Sequence, residues 1–378
     1  MAKKRSGDAY KKLGRILMVL FVVLVVCVAG VVLMDKSIQA QQAENAQRVA
    51  DENAKLEAQY QQAKAEEQAK AQQGESIQWP QPRAEGWDVV DLTDYPLTNT
   101  YAVNVSRHEL TMGGLMLLNQ WHSLPSDFSE DELLAVYAVD KTIPVSGSSV
   151  RLFPAAISAL GEMLAAAKEE GLEGYVVNQG YRTMEEQSAF YNEAAAKYSD
   201  KYSGEERIEK VRTAANVNYP GTSEYQSGFS LRMDRYSKTD RELMDKKFAD
   251  TEQSDWLVAN SWQYGYVFRF PVQGYPNSTV TDKSYKTGVS SKLSIYRYVG
   301  KGHAAVMHAL DMCMEEYIEY LMKHPHIAVY EDGVLKYEIT RMAGGTTAAD
   351  VQVNVTLSAA EYTVSTDNVG GVVVCMTY

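Results

Sequence analysis

The segment SEYQSGFSLR, at residues 223–232, belongs to a set of short segments whose order indicates the fold of this chain. A second segment of the same kind, TGVSSKLSIYRYVGKGH, occupies residues 287–303. Four further segments accompany these two: LMLLN at 115–119, LPSDF at 124–128, GYRT at 180–183 with Gln187 after it, and WLVANSWQYGYVFRFP at 256–271. Each segment alone is too short to be specific, but six of them in this order indicate one fold.

Taken together, the six segments resemble the VanY-type D-alanyl-D-alanine carboxypeptidases, which are zinc peptidases that trim the stem peptides of peptidoglycan. The resemblance extends over about residues 105–325. It implies an α+β fold, a Hedgehog/D-Ala-D-Ala-peptidase-like domain in which a small antiparallel sheet is flanked by helices. We place this domain at residues 87–325.

The catalytic pattern of that family is S-x-H-x-x-G-x-A-x-D followed by E-x-x-H-x-R-Y-V-G. Its two His and one Asp bind zinc, which leaves one coordination position for a water, and its Glu is the general base. Aligned without gaps, the ligand positions of this chain are Tyr225, Arg232 and Ile295, and the base position is Lys292. The resemblance therefore implies the fold of a zinc peptidase with all four catalytic positions replaced.

The replacing residues are unsuited to that chemistry. Ile295 has no donor atom, Arg232 is a permanent cation, and Tyr225 alone would bind zinc poorly. Lys292 carries the wrong charge for a general base at neutral pH. We therefore expect no cofactor, although the family uses zinc, and a catalytically inactive pseudopeptidase. An active D,D-carboxypeptidase that trims terminal D-Ala from peptidoglycan precursors is the alternative.

Two of the replacements add positive charge. Zinc, its Asp and the Glu of the family sum to about zero, whereas Arg232 and Lys292 sum to +2, and Arg182 adds a third cation at a position that supports the substrate in the family. Three cations in one cleft suit a carboxylate, such as the C-terminus of a peptidoglycan stem peptide, because charge-assisted hydrogen bonds are strong. The candidate ligand-binding residues are Arg182, Gln187, Ser223, Arg232 and Lys292.

Two less specific interpretations of the same residues stay open. The ligands could have decayed in a fold that is kept as a scaffold for a cell-envelope complex. Alternatively, Glu224 or another carboxylate could fold in and neutralise the cations.

No second catalytic pattern is apparent elsewhere in the sequence. The six His lack companions at ligand spacing, and we interpret His324 and His326 as an exposed loop pair. No nucleophile elbow occurs. Cys313 and Cys375 could pair outside the cell or remain as buried thiols.

Residues 16–34 form an uninterrupted apolar run of 19 residues, ILMVLFVVLVVCVAGVVLM. As a helix it would span about 28 Å, close to the hydrocarbon thickness of a bilayer. The preceding residues 1–15 include six Lys or Arg, which predicts a cytoplasmic tail and an extracytoplasmic bulk. We predict a single-pass cell-membrane protein with a signal anchor, and a cleaved signal peptide is the alternative.

Residues 35–78 are rich in Ala, Gln and Glu and contain no Pro, a composition that favours helix by intrinsic propensity. Apolar residues are too sparse there for a core, so we predict a helical stalk that ends before Pro80 and Pro82.

The remaining chain alternates predicted helices with short strands. We predict helices at 155–170, 184–198, 255–264 and 303–322, and a strand at 175–178. The last residues alternate in polarity around Asp332 and Gly333, which predicts a hairpin at 327–340, and more strands follow at 351–357 and 362–378. We therefore predict a β-rich subdomain at 326–378, which with the stalk is a possible surface for a protein partner.

The overall charge excludes some classes of function. With 37 Lys and Arg against 49 Asp and Glu, the chain carries −12, which argues against a nucleic-acid partner. Residues 1–15 carry +5, so the rest carries −17. Three Cys in 378 residues exclude a disulfide-stapled scaffold.

Overall fold

The computed structural model describes Ala58, residues 79–291, residues 293–344 and residues 350–378. The predicted tail at 1–15, apolar helix at 16–34 and, apart from Ala58, stalk at 35–78 lie outside the described residues, and so does Lys292. None of the helices in the described ranges is both long enough and apolar enough to cross a membrane.

Thirteen strands occur in the described residues. They are β1 (Trp87–Asp91), β2 (Thr100–Ser106), β3 (Leu134–Ala135), β4 (Arg151–Leu152), β5 (Tyr175–Gln179), β6 (Ser230–Arg235), β7 (Tyr266–Phe268), β8 (Ile295–Tyr298), β9 (His326–Glu331), β10 (Val334–Ala343), β11 (Asp350–Thr356), β12 (Glu361–Thr366) and β13 (Gly371–Thr377).

The same ranges contain ten α-helices. They are α1 (Arg107–Thr111), α2 (Val136–Val139), α3 (Pro154–Glu169), α4 (Met184–Ala196), α5 (Gly204–Ala215), α6 (Arg241–Asp245), α7 (Glu252–Asn260), α8 (Ser284–Thr287), α9 (Lys301–Ala309) and α10 (Met314–Lys323). Short 3₁₀ turns lie at Glu224–Ser227, Phe248–Asp250 and Ser261–Tyr264.

A four-stranded antiparallel sheet, in the order β5-β6-β8-β7, forms the centre of the predicted peptidase-like domain. Helix α3 packs against it because its apolar residues recur at helical spacing, at Ile157, Leu160 and Met163. The buried hydroxyl of Tyr266, on β7, donates to the carbonyl of Ala156 at 2.6 Å and so ties the sheet to this helix. The small antiparallel sheet with helices against it agrees with the predicted α+β class.

A second antiparallel sheet has the order β1-β9-β10-β13-β12. Its β9–β10 hairpin turns at Asp332 and Gly333, whose φ angles of 51° and 75° suit a tight turn between twisted strands. The predicted hairpin is confirmed. Strand β1 comes from the beginning of the described chain and pairs along β9, from Trp87 opposite Glu331 to Asp91 opposite Ile327.

Strand β13 is apolar on both faces because both faces are covered. Val373 and Cys375 contribute to the core beneath α9 and α10, whereas Val372, Val374 and Met376 face a separate core beneath the β2–β11 pair. The alternation follows from the two-residue period of a strand. Strands from both ends of the described chain thus belong to the same sheet. The predicted domain boundary between residues 325 and 326 stays a prediction.

The predicted helix at 303–322 is interrupted in the structure, and this prediction was wrong. Helix α9 ends at Ala309, and Asp311 adopts a left-handed φ of 49° that no α-helix can contain. Helix α10 then restarts with the backbone of Cys313 bonded to the carboxylate of Glu316. The predicted helix at 255–264 is likewise α7 followed by a 3₁₀ turn.

Candidate functional site

The three positions that correspond to the family's zinc ligands meet at the four-stranded sheet. Arg232, on β6, is paired with Ile295 on β8 and with Gln179 on β5. Tyr225 lies in the 3₁₀ turn that leads into β6. After this turn Gly228 has a φ of 77°, and a Cβ there would lie 2.4 Å from the ring of Phe153, so only glycine fits. The fold therefore brings these positions together.

The side chains at these positions differ in exposure. Directly paired residues of neighbouring strands project to the same face, so Gln179, Arg232 and Ile295 share one face of the sheet. Ile295 is only 3% exposed, whereas Arg232 is exposed. Tyr225 is part-buried, and burial raises the pKa of its hydroxyl against the opposing effect of Arg182 and Arg232. Tyr225 therefore stays a neutral phenol at neutral pH.

Arg182 adjoins this face and is fixed on several sides. Its guanidinium lies between the rings of Phe190 and Tyr225, 4.3 Å from each centroid. Nη1 donates to Oε1 of Gln187 at 3.3 Å, and Nη2 donates to Oε1 of Gln179 at 3.2 Å. Its backbone N–H donates to the carbonyl of Tyr225 at 3.0 Å. The cation is thus held by neutral amides and aromatic rings.

The positive charge of Arg182 and Arg232 is not neutralised by the residues that the structure describes. Among those residues neither guanidinium forms an ion pair with a carboxylate, and Nε of Arg182 is buried without a hydrogen-bond partner. Burial lowers the pKa of Arg182, Tyr225 and the carboxylate of Glu186 act in the opposite direction, and the nearby charge of Arg232 adds a smaller lowering effect. Two cations that repel each other lie here with unused hydrogen-bonding capacity, which an anion would satisfy.

Glu224 is bound to other cations, so the alternative that Glu224 itself pairs with Arg182 or Arg232 does not hold. It is buried and accepts from Nε of Arg269 at 2.9 Å, from Arg297, and from the Ser230 hydroxyl at 2.6 Å. Glu315 binds Arg269 from another side through two contacts of 2.9 and 2.7 Å. Burial alone would raise the pKa of Glu224, but Arg269 and Arg297 hold it below its usual value. Two carboxylates and two guanidinium groups form a balanced network separate from Arg182.

Comparison with known proteins shows to which family the chain belongs. Residues 149–300 match the family model described as VanY, D-alanyl-D-alanine carboxypeptidase. The putative carboxypeptidase YodJ of Bacillus subtilis is 30% identical over 210 residues, which cover 55% of this chain and 68% of that protein. The chain belongs to the VanY D-alanyl-D-alanine carboxypeptidase family.

Two other similar proteins agree with that membership. A D-alanyl-D-alanine carboxypeptidase of Enterococcus faecium is 25% identical over 284 residues, covering 73% of this chain and 79% of its own length. The crystal structure of the D,D-dipeptidase VanXYg, solved with a D-Ala-D-Ala phosphinate analogue, superposes with a TM-score of 0.56. It covers 74% of this chain and 99% of that chain at 20% identity, so it supports the fold alone.

The zinc ion of this family does not fit the residues present at its ligand positions. A hydrocarbon side chain, a guanidinium and a neutral phenol supply no set of three zinc ligands. Within the described ranges, no group of three or more His, Cys, Asp and Glu could hold a metal ion. The chain thus has the fold of the VanY family, but the three positions aligned with the zinc ligands do not carry a set of zinc-binding side chains.

The other predicted ligand-binding residues have distinct roles. Gln187 is 1% exposed; besides accepting from Arg182, its Nε2 donates to the carbonyl of Asn218 at 2.8 Å. It positions Arg182. Ser223 is buried, and its carbonyl accepts from the backbone of Gln226 at 2.9 Å, which starts the 3₁₀ turn of Tyr225. Lys292 lies outside the described residues, so its role stays a prediction.

The histidines are occupied by structural contacts. His303 is buried with Nδ1 2.7 Å from the Tyr317 hydroxyl, and burial lowers its pKa to about 4. His326 is not in an exposed loop, which corrects that interpretation: it is buried at the start of β9, between the carbonyl of Tyr95 and the carboxylate of Glu338. Cys313 and Cys375 are both buried and free.

Sequence reasoning missed two residues of the site, Gln179 and Phe190. Phe190 is exposed although it is large and apolar. It lies three residues after Gln187 on α4, and residues at that spacing share a helix face. That spacing was the available signal. Gln179 could not be found this way, because its contact with Arg182 depends on the end of β5.

Proposed function

We propose that the chain is a catalytically inactive VanY-family pseudopeptidase that binds the carboxylate end of a peptidoglycan stem peptide. The observation that carries this proposal is the pairing of Arg232 with Ile295 across neighbouring strands, with Tyr225 in the turn before β6 close enough for Arg232 to act on its hydroxyl. These are the family's three zinc-ligand positions. Their side chains lack a zinc ligand set, and one of them is a cation.

Binding of a carboxylate is supported by the electrostatics of Arg182 and Arg232. A carboxylate would relieve the repulsion between the two guanidinium groups and accept their unused N–H donors. The aromatic rings on both sides of Arg182 limit its rotamers, so little side-chain entropy is lost when a ligand binds. This arrangement suits retention of a peptide C-terminus without its hydrolysis.

The class of ligand is supported by the relatives. The similar protein of Enterococcus faecium is named a D-alanyl-D-alanine carboxypeptidase, and the VanXYg structure was solved with a D-Ala-D-Ala phosphinate analogue. A stem peptide that ends in D-Ala-D-Ala is therefore the first ligand to test for this chain.

The location that we propose is the outer face of the cell membrane. The apolar run at 16–34 would be the anchor, the six basic residues before it would keep the N-terminus in the cytoplasm, and residues 35–78 would be the stalk. A protein partner could contact the stalk or the C-terminal strands, and a nucleic-acid partner is not expected.

Two alternatives remain distinct from this proposal. An active D,D-carboxypeptidase is favoured by family membership. A scaffold without a ligand in the cleft is favoured by the buried network of Glu224, Arg269, Arg297 and Glu315, which links the turn before β6 to β8 and α10 through ion pairs.

The test is a calorimetric titration of the purified full-length protein with a pentapeptide that ends in D-Ala-D-Ala. We expect binding to the wild type, at least about tenfold weaker binding to Arg232→Ala, and similar weakening when the peptide C-terminus is amidated. Arg241→Ala is the matched control, because Arg241 is an exposed arginine at the start of α6. Equal binding by all three proteins would remove the cleft from the proposal.

Zinc analysis and an assay for released D-alanine separate the inactive protein from the active enzyme. We expect no D-alanine from the pentapeptide and no zinc at a stoichiometric level. One zinc per chain together with release of D-alanine would establish the active carboxypeptidase instead.

A further inference from the structure

A cavity of about 340 Å³ lies where the five-stranded sheet meets α9 and the turn Ser261–Tyr264. Its walls include Trp87 from β1, Trp262 from the turn, Lys301 from α9, and Lys336 and Tyr337 from β10. None of these residues belongs to the cleft of Arg182 and Arg232. The volume lies within the range of small-molecule sites.

Two indole rings form one corner of this cavity. The rings of Trp87 and Trp262 are 5.3 Å apart and nearly perpendicular, at 88°. Trp262 is fixed further, because its Nε1 donates to the carbonyl of Ala259 at 2.8 Å and His308 stacks parallel to it at 4.2 Å. The Nε1 of Trp262 and the ring face toward His308 are thus already engaged, and the two indoles line the cavity with their remaining surface.

A β-bulge brings two consecutive residues into the same cavity. In a regular strand Lys336 and Tyr337 would project to opposite faces, but the register between β9 and β10 shifts between Leu335 and Tyr337. Tyr337 then lies against α9 at Gly302, where an added Cβ would be 3.0 Å from the ring. The backbone irregularity thus places one aromatic ring and one ammonium group at the same site.

The rim of the cavity carries donors and acceptors of hydrogen bonds. Lys336 lies 3.3 Å from Glu331, and Lys301 lies 3.0 Å from Glu162. Gln263 adds an exposed amide. Ion pairs this exposed contribute little to stability, so a ligand can replace them at little cost.

From this combination we propose that the cavity binds the pyranose ring of a saccharide, independently of the function proposed for the cleft. The C–H face of a pyranose is weakly positive and packs on the negative face of an indole. Its hydroxyl groups project from the ring plane and need the donors and acceptors that Lys336, Glu331 and Gln263 supply. A flat aromatic ligand would stack on the indole rings but would leave the hydrogen-bonding groups of Lys336, Glu331 and Gln263 without partners.

The probe is N-acetylchitotetraose, a saccharide of four N-acetylated pyranose rings, titrated into the full-length protein by calorimetry. We expect a dissociation constant on the order of 1 mM, about tenfold weaker binding to Trp87→Leu, and unchanged binding to Trp121→Leu. Trp121 is the matched control because its side chain is 57% exposed and does not line the cavity. Monomeric N-acetylglucosamine should bind too if a single ring is recognised.

Lys336→Ala is a second variant, for the case that thermal melting shows Trp87→Leu to be unstable. Lys336 lies at the rim of the cavity, so its truncation should disturb the fold less than loss of an indole ring. We expect it to weaken binding about threefold while the melting temperature stays near that of the wild type. Absence of wild-type binding at about 10 mM of either saccharide overturns the proposal. Equal binding by wild type, Lys336→Ala and Trp87→Leu overturns it as well, as does tighter binding of adenosine, a flat aromatic control.

Discussion

At the scale of single residues, the three positions that the motif resemblance aligns with zinc ligands carry side chains that supply no set of metal ligands. Arg232 and Ile295 are paired across β6 and β8, and Tyr225 is held beside them by the turn after Ser223. The backbone frame therefore remains available, and the obstacle to metal binding is the identity of three side chains.

Restoring those side chains should restore zinc binding. We expect the triple variant Tyr225→His, Arg232→Asp and Ile295→His to bind about one zinc ion per chain, because the frame already brings the three positions together. The measurement is elemental analysis after dialysis against trace zinc. The control has Ala instead of His at 295; if the folded triple variant binds no more zinc than this control, the backbone frame has also changed.

The buried carboxylate of Glu224 predicts a large loss of stability when its charge is removed. Glu224→Gln leaves Arg269 and Arg297 buried without their shared partner, which should lower the free energy of unfolding by about 3–5 kcal/mol. Urea denaturation measures this. Glu162→Gln is the matched control, because Glu162 makes an exposed ion pair with Lys301 and should cost less than about 1 kcal/mol. Equal losses in both variants would contradict the role of the network.

The same residue predicts a dependence of stability on pH. The pKa of Glu224 is lower in the folded chain than its ordinary value of 4.5. Its ionised form therefore stabilises the fold above pH 4.5, and that contribution is lost as the pH falls below 4.5 toward the folded-state pKa. We expect the difference in unfolding free energy between wild type and Glu224→Gln to shrink below pH 4.5. A difference that stays constant down to pH 3 would contradict it.

At the scale of elements, close contacts depend on glycines at particular places. Helix α9 lies against the sheet at Gly302, where a Cβ would be 2.5 Å from Sγ of Cys375 and 3.0 Å from the ring of Tyr337. Such distances cannot be accommodated without movement of the helix or of β13.

Gly302→Ala should therefore destabilise the chain by about 1–3 kcal/mol through overpacking. Gly147→Ala is the control, because a Cβ there would meet only Oγ of Ser149 at 3.9 Å. Thermal melting of both variants checks the prediction. A melting temperature of Gly302→Ala within about one degree of the control would show that the helix can shift freely.

Some of the helices and strands are predicted by the local sequence, and others are not. The α3 helix and the β9–β10 hairpin agree with prediction because apolar periodicity and the Asp332–Gly333 turn are local signals. The interruption between α9 and α10 was missed, since the intervening residues 310–313 are compatible with a helix and carry no Gly or Pro to mark the left-handed turn at Asp311.

At the scale of the whole molecule, the C-terminal strands are linked to the beginning of the described chain. Strand β1 hydrogen-bonds to β9, and β2 pairs with β11 along seven residues from Thr100 to Ser106. Deleting 326–378 would remove the partner of both strands and expose the core beneath α9 and α10.

We therefore expect a chain truncated after residue 325 to lose cooperative thermal unfolding and to aggregate, because β1 and β2 become unpaired edges. Deletion of 1–78 is the control and should leave a cooperative transition. Circular dichroism melting compares the two. Cooperative unfolding of the truncated chain near the wild-type temperature would instead support an independent domain at 87–325.

The family, the replacement of residues in its catalytic motifs and the positive charge of Arg182, Arg232 and Lys292 were predicted from the sequence, because these are properties of residue types at fixed spacings. It could not determine that Arg182 lies between two aromatic rings, that Glu224 binds Arg269 and Arg297 instead of the cleft, or that Trp87 meets Trp262. Apart from the contact of Arg182 with Phe190, eight residues later, those contacts join residues far apart in the chain. They depend on the tertiary structure. Each buried charge or ring has several residues in the sequence that could be its partner, and the packing of strands and helices determines which of them lies next to it.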